Sequence, residues 1–383
     1  MPRIELPISK SIANRLLILQ AIHGDGQLLT VSADMPDDVQ VMSEAIRLLG
    51  ERGEARIDLG NCGTAMRFLT AYCAQLEGQT TILDGVERMR HRPIGQLVDA
   101  LRKIGADIEY LGEEGFPPLR ITGCALDKHK LVRIDNPLST QFVSALMLIG
   151  ANVQTNSTSP YINITREIID QYSHKFKIHN SKFIIEKDWS SAAFWYEYVA
   201  LHASSPHRLI ASSPIIELPG LYRDSLQGDK VVADIFAKLG VQTQYTAEGI
   251  TIFSTGVADL QQSDLQGIIA QSTAQRSAEE TILNSKFLIQ NFSACPDLYP
   301  AVALTCERLG ITLHATGTES LSIKESDRIR AVREHLTDHD HRMAMALLVA
   351  GYEVDDTDCI SKSYPRFLEQ WQAIQTSSPK NLR

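Results

Sequence analysis

Residues 96–123 read QLVDALRKIGADIEYLGEEGFPPLRITG. Leu97, Val98, Leu101 and Ile104 recur at the spacing of one helix face, Gly105 stops that helix, and two alternating strands follow around the Glu113-Glu114-Gly115 turn. KVVADIFAKLGVQTQYTAEGITIFSTG at 230–256 repeats this grammar, with Val231, Ile235 and Leu239 on the helix face and Gly240 as the stop. REIIDQYSHKFKIHNSKFIIE at 166–186 repeats it without the glycine, and VMSEAIRLLG at 41–50 supplies another helix and stop. Copies in both halves of the chain predict a pseudo-symmetric α/β protein built from helix-strand-strand units. Helix, glycine and hairpin also follow one another in many unrelated α/β proteins. HASSPHRLIASSPIIELPG at 202–220 reads as an irregular surface connection. TILNSKFLIQNFSACPD contains strand-like segments without clear turn chemistry, and AVREHLTDHDHRMAMALLVAG passes between two helices over only a few residues.

The chain has 383 residues, 37 Lys+Arg against 46 Asp+Glu, a net charge of -9 and 44% hydrophobic residues, which is material for two domains and excludes disorder, collagen and coiled coil. No run reaches the roughly 18 apolar residues of a membrane helix. The best candidate, IANRLLILQAI, carries Asn14 and Arg15, so neither a span nor a signal peptide is expected. Cys62, Cys73, Cys124, Cys295, Cys306 and Cys359 show no CxxC spacing and read as thiols in a reducing cytoplasm. An acidic total argues against nucleic-acid binding, and any bound anion must meet a local basic cluster.

Several stretches supply such clusters. ELPISKSIANRLLILQ puts Lys10, Ser11, Asn14 and Arg15 at a helix start, where free N–H groups and positive charge suit an anion, or where Ser11 is simply the N-cap. GNCGTAMRFLTA offers Asn61, Gly63 and Thr64 in a turn, with Arg67 one helical turn on. In DGVERMRHRPIG, Arg88, Arg90 and Arg92 stand at every second position, which on an extended segment points three guanidiniums the same way. PLSTQFVSALM brings Ser139, Thr140 and Gln141 to a helix start. In ESLSIKESDRIRAV, Lys324, Glu325, Asp327 and Arg328 crowd another, a setting that shifts proton affinity and suits acid–base work. CPDLYPAVAL sets Asp297 between prolines, as a cap or a catalytic carboxylate. DHDHRMAMALLVAG lacks the i, i+4 ligand spacing of a helical zinc motif, so no metal is expected. No G-x-S-x-G, Walker A or G-x-G-x-x-G occurs.

Read in order, LPISKSIANR, NCGTAMRFLTA, ERMRHRPIG, STQFVSALM, SPYINIT, EKDWSSAA, LQGD, CPDLYPA, IKESDRIRA, DHRMAMA and SKSYPRF resemble the 5-enolpyruvylshikimate-3-phosphate synthase family over nearly the whole chain. The resemblance implies an α/β fold of two domains, 10–186 and 1–9 plus 187–383, each of three pseudo-symmetric βαβαββ-like units. It implies transfer of the enolpyruvyl group of phosphoenolpyruvate to the 5-hydroxyl of shikimate 3-phosphate, by addition then elimination of phosphate, in the shikimate pathway to chorismate and aromatic amino acids. By the family pattern, shikimate 3-phosphate would meet Lys10, Ser11, Arg15, Ser139, Thr140, Gln141, Thr158, Tyr161, Asp297 and Lys324. Phosphoenolpyruvate would meet Lys10, Gly63, Arg92, Gln141, Arg328, Arg342 and Lys362. Asp297 would accept the hydroxyl proton, Glu325 would give and retake the methylene proton, and Lys10 would stabilise the departing phosphate. Arg67 would support the Gly63 turn. No metal or organic cofactor is implied. The partners are the two small substrates, with no nucleic acid or membrane, and a cytoplasmic monomer is expected. Glyphosate occupies the phosphoenolpyruvate site of many members, and Gly63 matches the position that admits both molecules.

The chain departs from the family pattern at several places. Ile8 stands for glycine, Thr140 and Thr158 for serines, Cys62 for alanine, and Ser322 for an arginine. The chain is also short between Arg328 and Asp340 and near 28–36, 150–158 and 176–186. The sister enzyme acting on UDP-N-acetylglucosamine has Lys-Asn where this chain has Lys10-Ser11, and a loop cysteine absent from DGVERMRHRP. A non-catalytic binder of phosphorylated sugars would have no need of both Asp297 and Glu325.

Overall fold

In the computed structural model, which describes residues 1–24, 29–50, 54–173, 185–203, 215–254 and 287–377, the buried apolar side chains fall into two clusters. The first gathers residues between Ile12 and Tyr172. It is built from α1 (Lys10–His23), α2 (Asp37–Leu49), β1 (Glu54–Asp58), α3 (Gly63–Ala74), β2 (Thr80–Asp84), α4 (Glu87–Arg90) and α5 (Gly95–Lys103). It continues through β3 (Asp107–Tyr110), β4 (Leu119–Thr122), β5 (Val132–Arg133), α6 (Thr140–Leu148), β6 (Val153–Gln154) and α7 (Pro160–Gln171).

Within this cluster β1 and β2 run parallel across α3, and β3 and β4 form an antiparallel hairpin behind α5, giving strand order β1-β2-β4-β3. Apart from the short α4, residues 54–122 therefore make one βαβαββ unit. Its logic is the alternation read from the sequence: Leu119 and Ile121 of β4 are buried in one cluster with Leu97, Val98 and Leu101 of α5, while Arg120 and Thr122 stay half-exposed.

The second cluster takes Ile4 and Leu6 together with residues from Trp189 to Ile374. Its elements are α8 (Trp189–Ala203), β7 (Ile215–Pro219), α9 (Val232–Ala237), β8 (Val241–Tyr245), β9 (Gly249–Ser254), β10 (Phe287–Asn291) and α10 (Tyr299–Arg308). β11 (Thr312–Thr316), α11 (Arg328–Glu334), α12 (His341–Ala350) and α13 (Phe367–Ser377) complete it. Helix α8 is buried on every side, with Trp189, Phe194, Trp195, Tyr196 and Val199 among its buried residues, as suits a helix at the centre of a core. β7, β9 and β8 form an antiparallel sheet in that order, and β10 pairs in parallel with β11 across α10.

The helix and hairpin expected at 230–256 are present. The stretch expected as an irregular connection instead contains β7 at its end, because Ile216 and Leu218 alternate into the core opposite β9. Residues 204–214, residues 174–184 of the repeat read at 166–186, and the part of TILNSKF before 287 lie outside the described residues. α11 and α12 are joined over 335–340, where His335, Asp338 and His339 take positive φ and turn the chain sharply. Among the described residues, no helix is long and apolar enough to cross a membrane.

The chain passes between the two clusters twice, and the two passages lie side by side. Ser9 N–H donates to Glu186 O at 2.9 Å, Asp188 N–H donates to Pro7 O at 3.0 Å, and Ile8 bridges Lys187 in antiparallel fashion. Upstream, Ile4 N–H donates to Glu217 O, tying the first residues to β7.

Candidate active site

The starts of α1, α3, α6 and α7 converge with the 293–297 and 319–325 segments and the start of α12 on one cavity of about 720 Å³. Lys10, Ser11, Arg15, Gly63, Arg92, Ser139, Thr140, Gln141, Thr158, Tyr161, Asp297, Lys324, Glu325, Arg328 and Arg342 all line it. Lys362 lines an adjoining cavity and reaches Glu325 at its edge. The residues carried over from the family pattern are thus brought to one place.

Helix α1 begins at Lys10, with Ser9 rather than Ser11 at the N-cap position, so Ser11 does not cap and lines the cavity instead. Lys10 Nζ lies 2.8 Å from Asp38 Oδ2 on the first turn of α2. Burial works against its charge, yet Asp38 and Glu325 together outweigh that cost and the Lys10 pKa is raised. Arg15 is buried and none of its hydrogen bonds goes to a carboxylate: Nε donates to Thr165 Oγ1 at 2.7 Å, Nη1 to Ser11 O, and Nη2 to Tyr161 O and Ser144 Oγ. The Phe68 ring lies 5.3 Å below the guanidinium. Burial lowers its pKa to about 10, which still leaves a full positive charge near neutral pH, with no counter-ion among the described residues.

Around Gly63, Arg67 Nη1 donates to Gly63 O at 3.2 Å and Nη2 to Pro93 O at 3.1 Å, so Arg67 braces this turn as the resemblance implied. Arg92 lies directly over Gly63: a Cβ there would stand 2.6 Å from both of its terminal nitrogens. Ser139 caps α6 through Gln141 N–H, and the Gln141 amide donates to Thr64 Oγ1 at 2.9 Å.

The arginine row is not extended. Glu87–Arg90 is a helical turn, because Met89 inserts fully into the first core, and the three guanidiniums part company. Arg90 grips Asp84 with two hydrogen bonds of 3.0 and 2.9 Å, Arg92 enters the cavity, and Arg88 reaches the 322–325 backbone.

Across the cavity Asp297 is a hub rather than a helix cap. Its Oδ1 accepts from Arg328 Nη1 at 2.7 Å and lies 3.4 Å from Lys324 Nζ, while Oδ2 accepts from Arg342 Nη2 at 2.9 Å. Burial opposes its ionisation, but Arg342, Lys324 and Arg328 prevail and hold the carboxyl well below the usual range. Glu325 accepts from Arg328 Nη2 at 3.2 Å and from Lys362 Nζ at 3.1 Å. Burial is again opposed, here by Lys362, Arg92 and Arg328, and the net pKa is well below that of a free glutamate. Arg328 is fixed from behind by Asp340, which accepts its Nε at 2.8 Å and also caps α12 through Arg342 N–H. Lys362 spans the cavity edge, donating to Asn61 O at 2.8 Å.

Sequence reasoning missed Asp38 as the partner of Lys10, and weighed Asp340 and His341 only as metal ligands. Asp340 carried a local signal, an acid immediately before an apolar helix. His341 is buried among Lys10, Arg342, Glu325 and Lys362, neither ring nitrogen is hydrogen-bonded among the described residues, and burial together with Lys10 and Arg342 keeps the ring neutral. Cations outnumber carboxylates around this cavity in a chain of net charge -9, so the site is a local basin for multiply anionic ligands.

The fold is that of an enolpyruvyl transferase. The chain superposes on the EPSP synthase of Acinetobacter baumannii with a TM-score of 0.61 at 19% identity, over 97% of this chain and 95% of that one. It superposes on the enolpyruvyl transferase NikO of Streptomyces tendae with a TM-score of 0.59 at 11% identity, over 98% and 95%. The family model described as EPSP synthase (3-phosphoshikimate 1-carboxyvinyltransferase) matches residues 2–338 and 334–371. The 3-phosphoshikimate 1-carboxyvinyltransferase of Bacteroides fragilis strain YCH46 is 35% identical over 422 aligned positions, covering 95% of this chain and 93% of that protein. That of Colwellia psychrerythraea is 30% identical, covering 96% and 95%. The chain belongs to the EPSP synthase family, a family of transferases.

Proposed function

We propose that this member carries out the carboxyvinyl transfer of its family in the cavity described, on phosphoenolpyruvate and shikimate 3-phosphate. The observation that carries the assignment of roles is that one guanidinium, Arg328, holds both Asp297 and Glu325, so a base and an acid face one space from fixed positions. Arg15, without a carboxylate partner, serves the shikimate 3-phosphate side with Ser11, Ser139, Thr140, Gln141, Thr158, Tyr161 and Lys324. Arg92, Arg328, Arg342, Lys362 and Gln141 serve phosphoenolpyruvate over the bare Gly63.

The ionised Asp297 takes the proton of the 5-hydroxyl as its oxygen attacks C2 of phosphoenolpyruvate. Glu325 delivers a proton to the methylene carbon, which becomes a methyl group. In the second stage Glu325 removes a proton from that methyl, the C–O bond to phosphate breaks, and Lys10 stabilises the leaving anion. Free of ligand, Glu325 is held ionised by Lys362, Arg92 and Arg328. The negative charge of phosphoenolpyruvate compensates those cations, which raises the proton affinity of Glu325 and so arms the acid only when substrate is present.

Phosphate release requiring both substrates tests the reaction. Glu325→Gln tests the roles: turnover falls by about 10²- to 10⁴-fold while both substrates still bind. Normal turnover in that variant overturns the assignment. The same reading makes the two cores separate domains, 10–186 and 1–9 plus 187–383, in a cytoplasmic monomer. Sedimentation of the full chain checks the last point.

A further inference from the structure

Arg88 has no part in the scheme above, although its neighbour Arg92 does. It stands on α4, exposed, yet α4 itself is firmly seated: Met89 is fully buried beneath it and Arg90 clamps it to Asp84 at the end of β2. From this base Arg88 extends to the segment that carries Lys324 and Glu325. Its Nε donates to Glu325 O at 3.1 Å, and its Nη2 donates to Lys324 O at 3.1 Å and to Ser322 O at 3.5 Å. Ser322 lies in the short helical turn Leu321–Ile323 and Lys324 and Glu325 follow it, where the carbonyls at the end of a helical turn have no partner within it. One cation thus takes three acceptors of a segment that belongs to the other core.

We propose that Arg88 is a positioning residue for the transfer reaction: it holds the 322–325 backbone so that the Glu325 carboxyl stands in register with Arg92 and Lys362. The inference rests on the reading of Glu325 as the proton donor. Because Arg88 and Arg92 sit on the same short segment, whatever seats an anion on Arg92 also settles the grip of Arg88 on Glu325. Acid and anion site are assembled together. A solvent-exposed guanidinium contributes little to folding, whereas a displacement of about 1 Å at a reacting group costs on the order of 100-fold in rate. Arg88 therefore acts on turnover far more than on stability.

The test is steady-state phosphate release and thermal melting of the full-length protein as wild type, Arg88→Ala, Arg88→Lys and Glu325→Gln. Arg88→Ala is expected to lower kcat by roughly 10- to 100-fold, with KM for shikimate 3-phosphate and Tm unchanged. Arg88→Lys keeps one donor and recovers part of the rate, and millimolar guanidinium raises the rate of Arg88→Ala but not that of Glu325→Gln. An unchanged kcat in Arg88→Ala beside an inactive Glu325→Gln overturns the role of Arg88 alone. A lowered Tm with weakened binding of both substrates overturns it too, since that is a structural contact. An active Glu325→Gln overturns the reading of Glu325 on which the inference stands.

Discussion

A methyl group at position 63 would stand 2.6 Å from both terminal nitrogens of Arg92. Backbone strain does not enter; the cost falls on the Arg92 guanidinium, which is the movable end of a flexible side chain. Gly63→Ala is therefore expected to raise KM for phosphoenolpyruvate by roughly tenfold, a typical effect of one misplaced methyl in a pocket, and to weaken inhibition by glyphosate more. Paired KM and Ki measurements check this, and equal loss of both sinks the idea. At this scale much of the site was legible, because Lys10, Gly63, Ser139, Asp297 and Arg342 each lie at or beside a helix start, where glycine, hydroxyl and charge patterns are local. Asp38 was not, since its worth depends on α2 packing against α1 to bring it within 2.8 Å of Lys10. Asp340 was half-legible: its cap is local, while its hold on Arg328 exists only after α11 and α12 fold back on each other.

Between elements, two stretches that line the cavity come together at Gly228, the first residue of the helical turn Gly228–Val231. A Cβ there would meet Ala294 O and both Cβ and Cγ of Pro160 at 2.9 Å. Pro160 opens α7 and precedes Tyr161, while Ala294 lies just upstream of Asp297, so this glycine lets two walls of the site touch. Gly228→Ala is expected to cost roughly 1–3 kcal/mol of that approach, seen as a higher KM for shikimate 3-phosphate with Tm little changed. Adding Pro160→Gly removes the opposing carbons and should restore much of the affinity; failure of the double variant to recover argues against the contact. The sequence marked α5 and its hairpin correctly because apolar period and glycine stop agreed there. It misjudged α4, where alternate arginines suggested an extended row, because the burial of Met89 and the Arg90–Asp84 clamp outweigh any pattern of surface charge.

For the whole molecule, pH acts through opposed sets of buried carboxyls. Asp38, Asp297 and Glu325 are depressed in the folded state, so their stabilisation is present above the unfolded values of about 4 and lost as pH falls through the folded ones. Asp229 behaves oppositely. It is buried, and among the described residues Oδ1 has no hydrogen-bond partner while Oδ2 accepts from Ser190; burial together with Asp297 raises its pKa to about 7. Its folded value exceeds the unfolded one of about 3.9, so its contribution is full below that pH and is lost as pH climbs towards 7. The Tm of Asp229→Asn relative to wild type should therefore rise between about pH 4 and pH 7. A pH-independent difference refutes the assignment. The division of the buried residues into two clusters, by contrast, has no signature in composition, because no low-complexity linker separates the halves.

The side-by-side passages at residues 7–9 and 186–188 also set an order of assembly in time. Ile4 and Leu6 leave the ribosome ahead of α1, but their packing partners from Trp189 onward and the β7 strand that Ile4 joins come out only after α1 to α7. At about 5–20 residues per second the segment with Ile4 and Leu6 waits roughly 10 to 40 seconds for these partners. The second core thus closes on residues made before the first core.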